Sequence, residues 1–266
     1  MSTQALSLPN PTSPSRSLGI FLTEVRYEFV RAMRTKAYSL SVIGFPVIFY
    51  LFFGLLMNRG THTGDLTTAT NMLAGYAVFA TIGSSLFGIG VGLSGDLSAG
   101  WLELKRASPM PPLAYLFAKC VTAMAFAVII ANLLCIMGIA FGGVHMALLP
   151  YLKMLALVVV GSIPFACMGL LLALVAPFNA APGFANMLYL PMSFLGGLWI
   201  PIEYMPKFLA DIAFLWPTYH LKQLVLRAFG SQSAGSISSH WLGLAIFTAI
   251  MILCAGYFFN RREQNS

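Results

Sequence analysis

The sequence predicts an all-α polytopic membrane protein, and both its composition and its apolar runs lead to this class. Hydrophobic residues make up 58% of the 266 residues, charged residues only 9%, and the mean hydropathy is +0.81, which is far from the range of ordinary soluble domains. Six apolar runs each approach the roughly 20 residues that a helix needs to cross a bilayer; they cover residues 38–57, 71–93, 117–141, 152–176, 184–200 and 241–260. We therefore expect six transmembrane helices in one membrane domain, residues 18–266.

Two different segments precede the first apolar run. Residues 1–17 are rich in Pro, Ser and Thr, which predicts a disordered tail, and they lack the features of a cleaved signal peptide. Over residues 18–36, apolar side chains recur every three or four positions, and Glu28 and Arg31 fall on the charged side. This pattern predicts an amphipathic helix at the inner membrane interface. A soluble helix packed against a partner is the alternative.

The distribution of Lys and Arg predicts the orientation in the membrane. Six spans place both termini on one side, and if that side is the cytoplasm it carries ten of the 15 basic residues. The net charge of +7 then reflects topology and requires no nucleic-acid partner. All four histidines fall on the outer side, too scattered in sequence to predict a metal site, and the four cysteines form no CxxC pair.

The interiors of the six runs contain no ionisable residue if the terminal Lys119 and Lys153 are left aside. Ion-coupled pumps usually carry such residues at depth, so the pattern disfavours ion coupling, although a sodium carrier could use backbone carbonyls. No titratable groups converge as an embedded enzyme would require, and the Walker A loop is missing from the sequence. We expect no cofactor and no catalysis in this chain. Active transport would need energy from a separate subunit, and a passive channel or ion-coupled carrier is the alternative class.

The segment between the second and third runs, residues 94–112, is unusually polar and is called the coupling segment below. We expect Asp96 to begin a short amphipathic helix with Trp101 on its apolar face. Lys105 and Arg106 in its last turn would complement the helix dipole. Such a helix beneath the membrane would transmit force from a partner protein. The alternative is a helix that only rests among the lipid head groups.

Two stretches resemble the ABC-2 type permeases, the membrane subunits of ATP-binding-cassette exporters. In the coupling segment and the helix after it, the matching residues are Gly100, Trp101, Glu103, Ser108, Pro109, Ala118 and Lys119. After the fifth run, the matching residues are Pro191, Pro201, Met205, Pro206, Pro217 and Arg227. The chain departs from the family at Gly95 and Asp96, where a denser Arg-Glu run is common, and at Trp216, where a polar Asn is common.

The resemblance implies a bacterial exporter of the type V, ABCG-like fold. It implies a second permease subunit, in a homodimer, and two copies of an ABC ATPase subunit that binds ATP and Mg²⁺. The assembly would lie in the bacterial inner membrane with both termini in the cytoplasm. The substrate would be a drug, an antibiotic or a lipid moved outward, and a polysaccharide or glycolipid exporter is the nearest alternative.

The resemblance also assigns roles to residues, none of them catalytic or metal-binding. ATPase coupling is assigned to Asp96, Gly100, Trp101, Glu103, Lys105, Arg106, Ser108 and Pro109. The substrate pathway is assigned to Phe79, Ser84, Phe87, Met187, Met192 and Phe194. An outer gate is assigned to Pro201, Glu203, Pro206 and Pro217. These last residues lie in a segment expected to form short re-entrant helices, residues 198–229, called the proline-rich segment below.

Overall fold

The computed structural model describes residues 14–57, 61–63, 65–101, 112–232 and 236–264. Nearly all of these residues are helical, and five of the helices are long and apolar enough to cross a membrane. The predicted class, an all-α polytopic membrane protein, is confirmed.

Nine helices of six or more residues fix the architecture of the described part of the chain. They are α1 (Pro14–Arg34), α2 (Lys36–Leu56), α3 (Thr68–Ser98), α4 (Pro112–Phe141), α5 (Leu148–Val175), α6 (Ala181–Leu195), α7 (Lys207–Ile212), α8 (Pro217–Ala228) and α9 (Ile237–Gln264). Two antiparallel strands of two residues each, β1 (His62–Thr63) and β2 (Leu66–Thr67), lie between α2 and α3. The five candidate spans are α2, α3, α4, α5 and α9.

Helix α3 is the centre of the bundle and packs against α4 and α5. Its glycines let neighbouring helices approach closely, as small residues do in membrane interfaces. A Cβ at Gly83 would lie 2.8 Å from the Tyr189 hydroxyl, and one at Gly90 would lie 2.7 Å from Leu172. Helix α3 widens to a π-helix over Leu86–Val91, a local distortion that is frequent at functional sites.

The fifth apolar run, residues 184–200, forms a shorter helix than the other five. Helix α6 has 15 residues, so it is about 22 Å long, less than the roughly 30 Å of the hydrocarbon core. The chain turns after it because Gly197 adopts a φ of +74°, which favours glycine. Of the six predicted spans, five therefore have the length of a complete crossing in the described residues.

The sequence predicts helices in the N-terminal segment and in the proline-rich segment, and the structure has helices in both. Helix α1 begins at Pro14 rather than at residue 18 and ends one residue before α2, while residues 1–13 lie outside the described part of the chain. The proline-rich segment forms four short helices, Ile202–Tyr204, α7, Ala213–Leu215 and α8. Their depth in the membrane stays a prediction.

Candidate functional site

Helix α1 packs along α4 and thereby brings its own charged residues to the ends of two spans. Phe21 contacts Phe117 with ring centroids 5.6 Å apart, and Phe29 contacts Phe126 at 5.7 Å. Glu28 lies between these two contacts in the sequence. It faces inward, since it is only 9% exposed. The apolar face of α1 is therefore used at least partly for packing within the protein.

Asp96, in the last turns of α3, is the acceptor at the centre of a buried polar cluster. Arg31 donates two hydrogen bonds to its carboxylate, from Nη1 to Oδ2 at 3.2 Å and from Nη2 to Oδ1 at 2.6 Å. The Tyr115 hydroxyl donates to Oδ2, and Lys119 Nζ lies 3.0 Å from the same oxygen. Three donors from two other helices thus converge on one carboxylate that is 3% exposed.

Lys119 joins this carboxylate to a second one on α1. Its Nζ donates to Oε1 of Glu28 at 2.6 Å, and Glu28 Oε2 lies 3.7 Å from Nη1 of Arg31. We call the five residues Glu28, Arg31, Asp96, Tyr115 and Lys119 the rim cluster. Its two carboxylates and two cations cancel in charge, which is how ionised groups are retained away from water.

The energetics of the rim cluster follow from its burial. Taking charges out of water costs several kcal/mol per ion, and this cost is offset only while every partner is in place. Removing one partner of such a buried pair typically costs 3–5 kcal/mol. The cluster therefore holds α1, α3 and α4 together as one unit at this end of the bundle.

Arg31 connects the buried cluster to the surface. Its side chain is 52% exposed, and the hydrogen bond to Asp96 raises the pKa of Arg31 above its ordinary value. Its Cζ lies 5.9 Å from the ring centroid of Trp101, a cation–π distance. Trp101 itself is 49% exposed. One exposed aromatic of the coupling segment is therefore in direct contact with the cluster.

The predicted coupling residues are placed in part. Asp96 is buried in the rim cluster, Gly100 turns the chain with a φ of +70°, and Trp101 is exposed beside Arg31. The remaining predicted coupling residues lie outside the described part of the chain; they are Glu103, Lys105, Arg106, Ser108 and Pro109.

Two expectations about this end of the molecule are wrong. Asp96 does not begin a short helix, because α3 continues to Ser98 and ends at the glycine turn. Glu28 does not lie on a charged outer face, because it is buried against Lys119. The sequence does indicate the buried position of Glu28. Phe21, Val25 and Glu28 stand at positions i, i+4 and i+7, which share one helix face.

The prolines of the predicted outer gate mark the starts of short helices. Pro201 and Pro206 immediately precede Ile202–Tyr204 and α7, and Pro217 is the first residue of α8, where its missing N–H costs nothing. Glu203 is exposed. No described contact tests whether these residues form a gate.

The proline-rich segment is fastened to the bundle at three points. Thr218 donates to the Met192 carbonyl at 2.8 Å, and Lys222 Nζ donates to the Gly197 carbonyl at 2.5 Å. The third point is a close approach, because a Cβ at Gly75 of α3 would lie 2.2 Å from the Leu198 carbonyl oxygen. Burial lowers the pKa of Lys222 to about 8.

The predicted pathway residues do not form one open surface of this subunit. Phe79, Ser84 and Met192 are buried in the core, and Phe79 stacks on Tyr189 with centroids 4.3 Å apart. Met187 is 72% exposed. Phe87 and Phe194 are half-buried. Met187 lies on the short helix α6. Phe79 and Phe87 of α3 both contact the Tyr189 ring of α6 and so contribute to packing between these two helices.

The fold and the rim cluster define a class: a multi-pass helical membrane protein whose charged groups meet at one end of the span bundle. The family model described as ABC-2 type transporter matches residues 20–229, and the chain belongs to this family. It is also 27% identical over 229 residues to a Bacillus subtilis (strain 168) protein named "Putative transport permease YvfS", covering 85% of this chain and 90% of that protein.

The family confirms the resemblance found in the two sequence motifs. The chain is a transmembrane permease of an ABC transporter. Members of this family are membrane subunits that lack an ATPase motif and work with an ABC ATPase subunit.

Proposed function

We propose that this chain is the permease subunit of an exporter and that a separate ATPase subunit docks on the coupling segment. The observation that carries the proposal is the rim cluster. It contains Asp96 near the start of the coupling segment, Tyr115 and Lys119 just after the segment, and Arg31 from α1. A force on the segment therefore reaches α1, α3 and α4 together.

The proposed assembly contains two permease subunits, as a homodimer, and two ATPase subunits that bind ATP and Mg²⁺. It lies in the bacterial inner membrane. Both termini face the cytoplasm, in keeping with the excess of Lys and Arg on that side. In this orientation the rim cluster lies at the cytoplasmic end of the spans and the proline-rich segment at the outer end.

The proposed substrate is hydrophobic or amphipathic, such as a drug, an antibiotic or a lipid. The exposed face of α6 supports this class, because Phe184, Met187 and Leu190 are 49%, 72% and 43% exposed. Flexible sulfur and aliphatic side chains suit apolar ligands of varied shape. A polysaccharide exporter would instead present aromatic and polar faces, and the aromatic pair Phe79 and Tyr189 is buried.

The test uses the complex of the permease with its ATPase, reconstituted in liposomes that contain a head-group-labelled fluorescent phospholipid. Arg31→Gln and Trp101→Ala are compared with Arg34→Gln, an exposed arginine of the same helix turn. We expect ATP hydrolysis to continue in the first two variants while lipid moved per ATP falls about fivefold or more, the lower end of typical coupling free energies. The Arg34 variant should behave as the parent complex.

The possible outcomes separate the parts of the proposal. Unchanged coupling in an intact Arg31→Gln complex would contradict the role of the rim cluster. ATP-dependent movement of a lipid-linked sugar but not of the phospholipid would contradict the proposed substrate class and favour a glycolipid exporter. Lipid movement that persists without nucleotide would indicate a passive pathway instead of an ATP-driven exporter.

A further inference from the structure

Helices α4 and α5 enclose a cavity of about 490 Å³ near the turn that joins them. A cavity of this size lies within the range of small-molecule binding sites. We call it the α4–α5 groove. Its lining is uncharged and mostly apolar, and it consists of Asn132, Cys135, Ile136, Ile139, Met146, Ala147, Leu148 and Tyr151. Such a lining suits the neutral, apolar part of a ligand.

The groove opens towards lipid at the end of the bundle opposite the rim cluster. Helix α5 begins at the groove, and the carbonyl of Ala176, just after its last residue, accepts a hydrogen bond from Ser94, which is close to Asp96 in α3. Both α4 and α5 are candidate spans. Exposed apolar side chains on a span contact lipid chains, and those of the lining are Ile136, Ile139 and Leu148, which are 63%, 56% and 71% exposed. A molecule that enters the groove therefore comes from the bilayer.

Two polar side chains in the lining, Asn132 and Tyr151, are bonded to each other and leave one donor open. The Tyr151 hydroxyl donates to Oδ1 of Asn132, and Nδ2 of Asn132 donates to the Val128 carbonyl at 2.7 Å. The nitrogen is assigned to the atom beside that carbonyl, because a carbonyl oxygen needs a donor. The amide has a second N–H, which has no acceptor among the described residues. An N–H without an acceptor is unfavourable in lipid.

The groove therefore calls for a ligand that has a long apolar part and one oxygen acceptor. A water molecule would satisfy the open N–H of Asn132 but would leave the apolar lining without contacts. An acyl chain of a glycerolipid fills such a lining, and the ester carbonyl at the start of the chain supplies the acceptor. The charged head group stays outside, since the lining residues are uncharged and unpaired charges avoid apolar surroundings.

We propose that the α4–α5 groove binds one acyl chain of a membrane glycerolipid, and that the open N–H of Asn132 donates to an ester carbonyl of that lipid. The hydrogen bond from Tyr151 to Asn132 joins both helices to the site. The groove lies on other helices than the exposed apolar face of α6, so the bound lipid is a resident of the protein and not the transported substrate. In the orientation proposed above, it belongs to the outer leaflet.

The test is native mass spectrometry of the purified full-length protein, delipidated in detergent and titrated with a diester phosphatidylcholine or with its diether analogue of the same chains. In the parent protein we expect the first diester lipid to bind about fivefold more tightly than the diether lipid, as the loss of one hydrogen bond predicts. Asn132→Leu should bind both lipids equally, with the affinity that the parent has for the diether. Asn260→Leu, at an exposed asparagine of α9, should keep the preference of the parent.

A second variant tests the groove without removing the polar pair. Ala147 lines the groove and is exposed just before α5, so Ala147→Trp should fill the cavity. We expect this variant to bind the first lipid of either kind more weakly than the parent and to show no preference for the diester. Equal binding of the two lipids by the parent protein, or a preference that persists in Asn132→Leu, would overturn the proposal. Neither result depends on the exported substrate or on the ATPase.

Discussion

At the scale of residues, the molecule retains charge at the end of its spans only as a neutral, fully paired set. Asp96 and Lys119 are each 3% exposed, and each contacts more than one partner. A buried pair of this kind contributes little net stability, but it fixes geometry because each partner left alone is strongly unfavourable. Tyr115 adds a neutral donor to the same carboxylate. The rim cluster therefore behaves as a unit.

This unit makes Lys119 the most sensitive single residue of the rim cluster. Lys119→Met removes the bridge between Glu28 and Asp96 and leaves the two carboxylates with Arg31 as their one cation within the rim cluster. We expect the free energy of unfolding to fall by about 3–5 kcal/mol, measured by chemical unfolding of the purified protein in detergent. In the double variant Lys119→Met with Glu28→Gln, which restores neutrality, the loss should be smaller than in the single variant.

Lys153→Met is the matched control, because Lys153 is exposed on α5. Its effect should lie within about 0.5 kcal/mol of zero. Equal losses in the Lys119 and Lys153 variants would contradict the burial and pairing assigned to the rim cluster. So would a double variant that loses the sum of both single effects.

At the scale of elements, α3 links the two ends of the bundle. Its last turns contain Asp96, and its first turns approach the proline-rich segment at Gly75. Gly75 and Asp96 are 21 positions apart, which corresponds to about 30 Å of helix and so to about the thickness of the hydrocarbon core. We therefore expect a displacement of α3 at the rim cluster to reach the Leu198 carbonyl at the other end.

Gly75→Ala tests the close approach between α3 and the proline-rich segment. The new Cβ would lie 2.2 Å from a backbone oxygen, so the two elements must separate, at a cost of about 1–3 kcal/mol. Gly44→Ala is the control in α2, where a Cβ meets no atom within 4 Å and should stabilise the helix slightly. Thermal unfolding of both variants measures the difference. A Gly75 variant as stable as the Gly44 variant would show that the contact does not exist.

The elements were more predictable than the contacts between them. Runs of apolar residues predict spans because an isolated helix must satisfy its own backbone in lipid, and five of the six runs form helices of spanning length. The fifth run, residues 184–200, forms only a short helix before the turn at Gly197, and hydropathy does not record that turn. The pairing of Glu28 with Lys119 joins residues 91 positions apart, and no local pattern contains that information.

At the scale of the whole molecule, polar chemistry is concentrated at the two ends of an apolar bundle. One end has the rim cluster and the exposed Trp101, and the other has the proline-rich segment with its fastening points at Thr218 and Lys222. The two motifs of the family resemblance fall in these two regions. The proposed ATP-driven permease would use this arrangement, with energy entering at one end and the pathway opening at the other.

The most direct test of the account is photo-crosslinking in native membranes with benzoylphenylalanine in place of Trp101. We expect a covalent adduct with a nucleotide-binding ABC subunit, identified by mass spectrometry. The same probe in place of Tyr204, which is 63% exposed in the proline-rich segment, should give no such adduct. An ABC subunit captured from position 204 and not from position 101 would contradict the account.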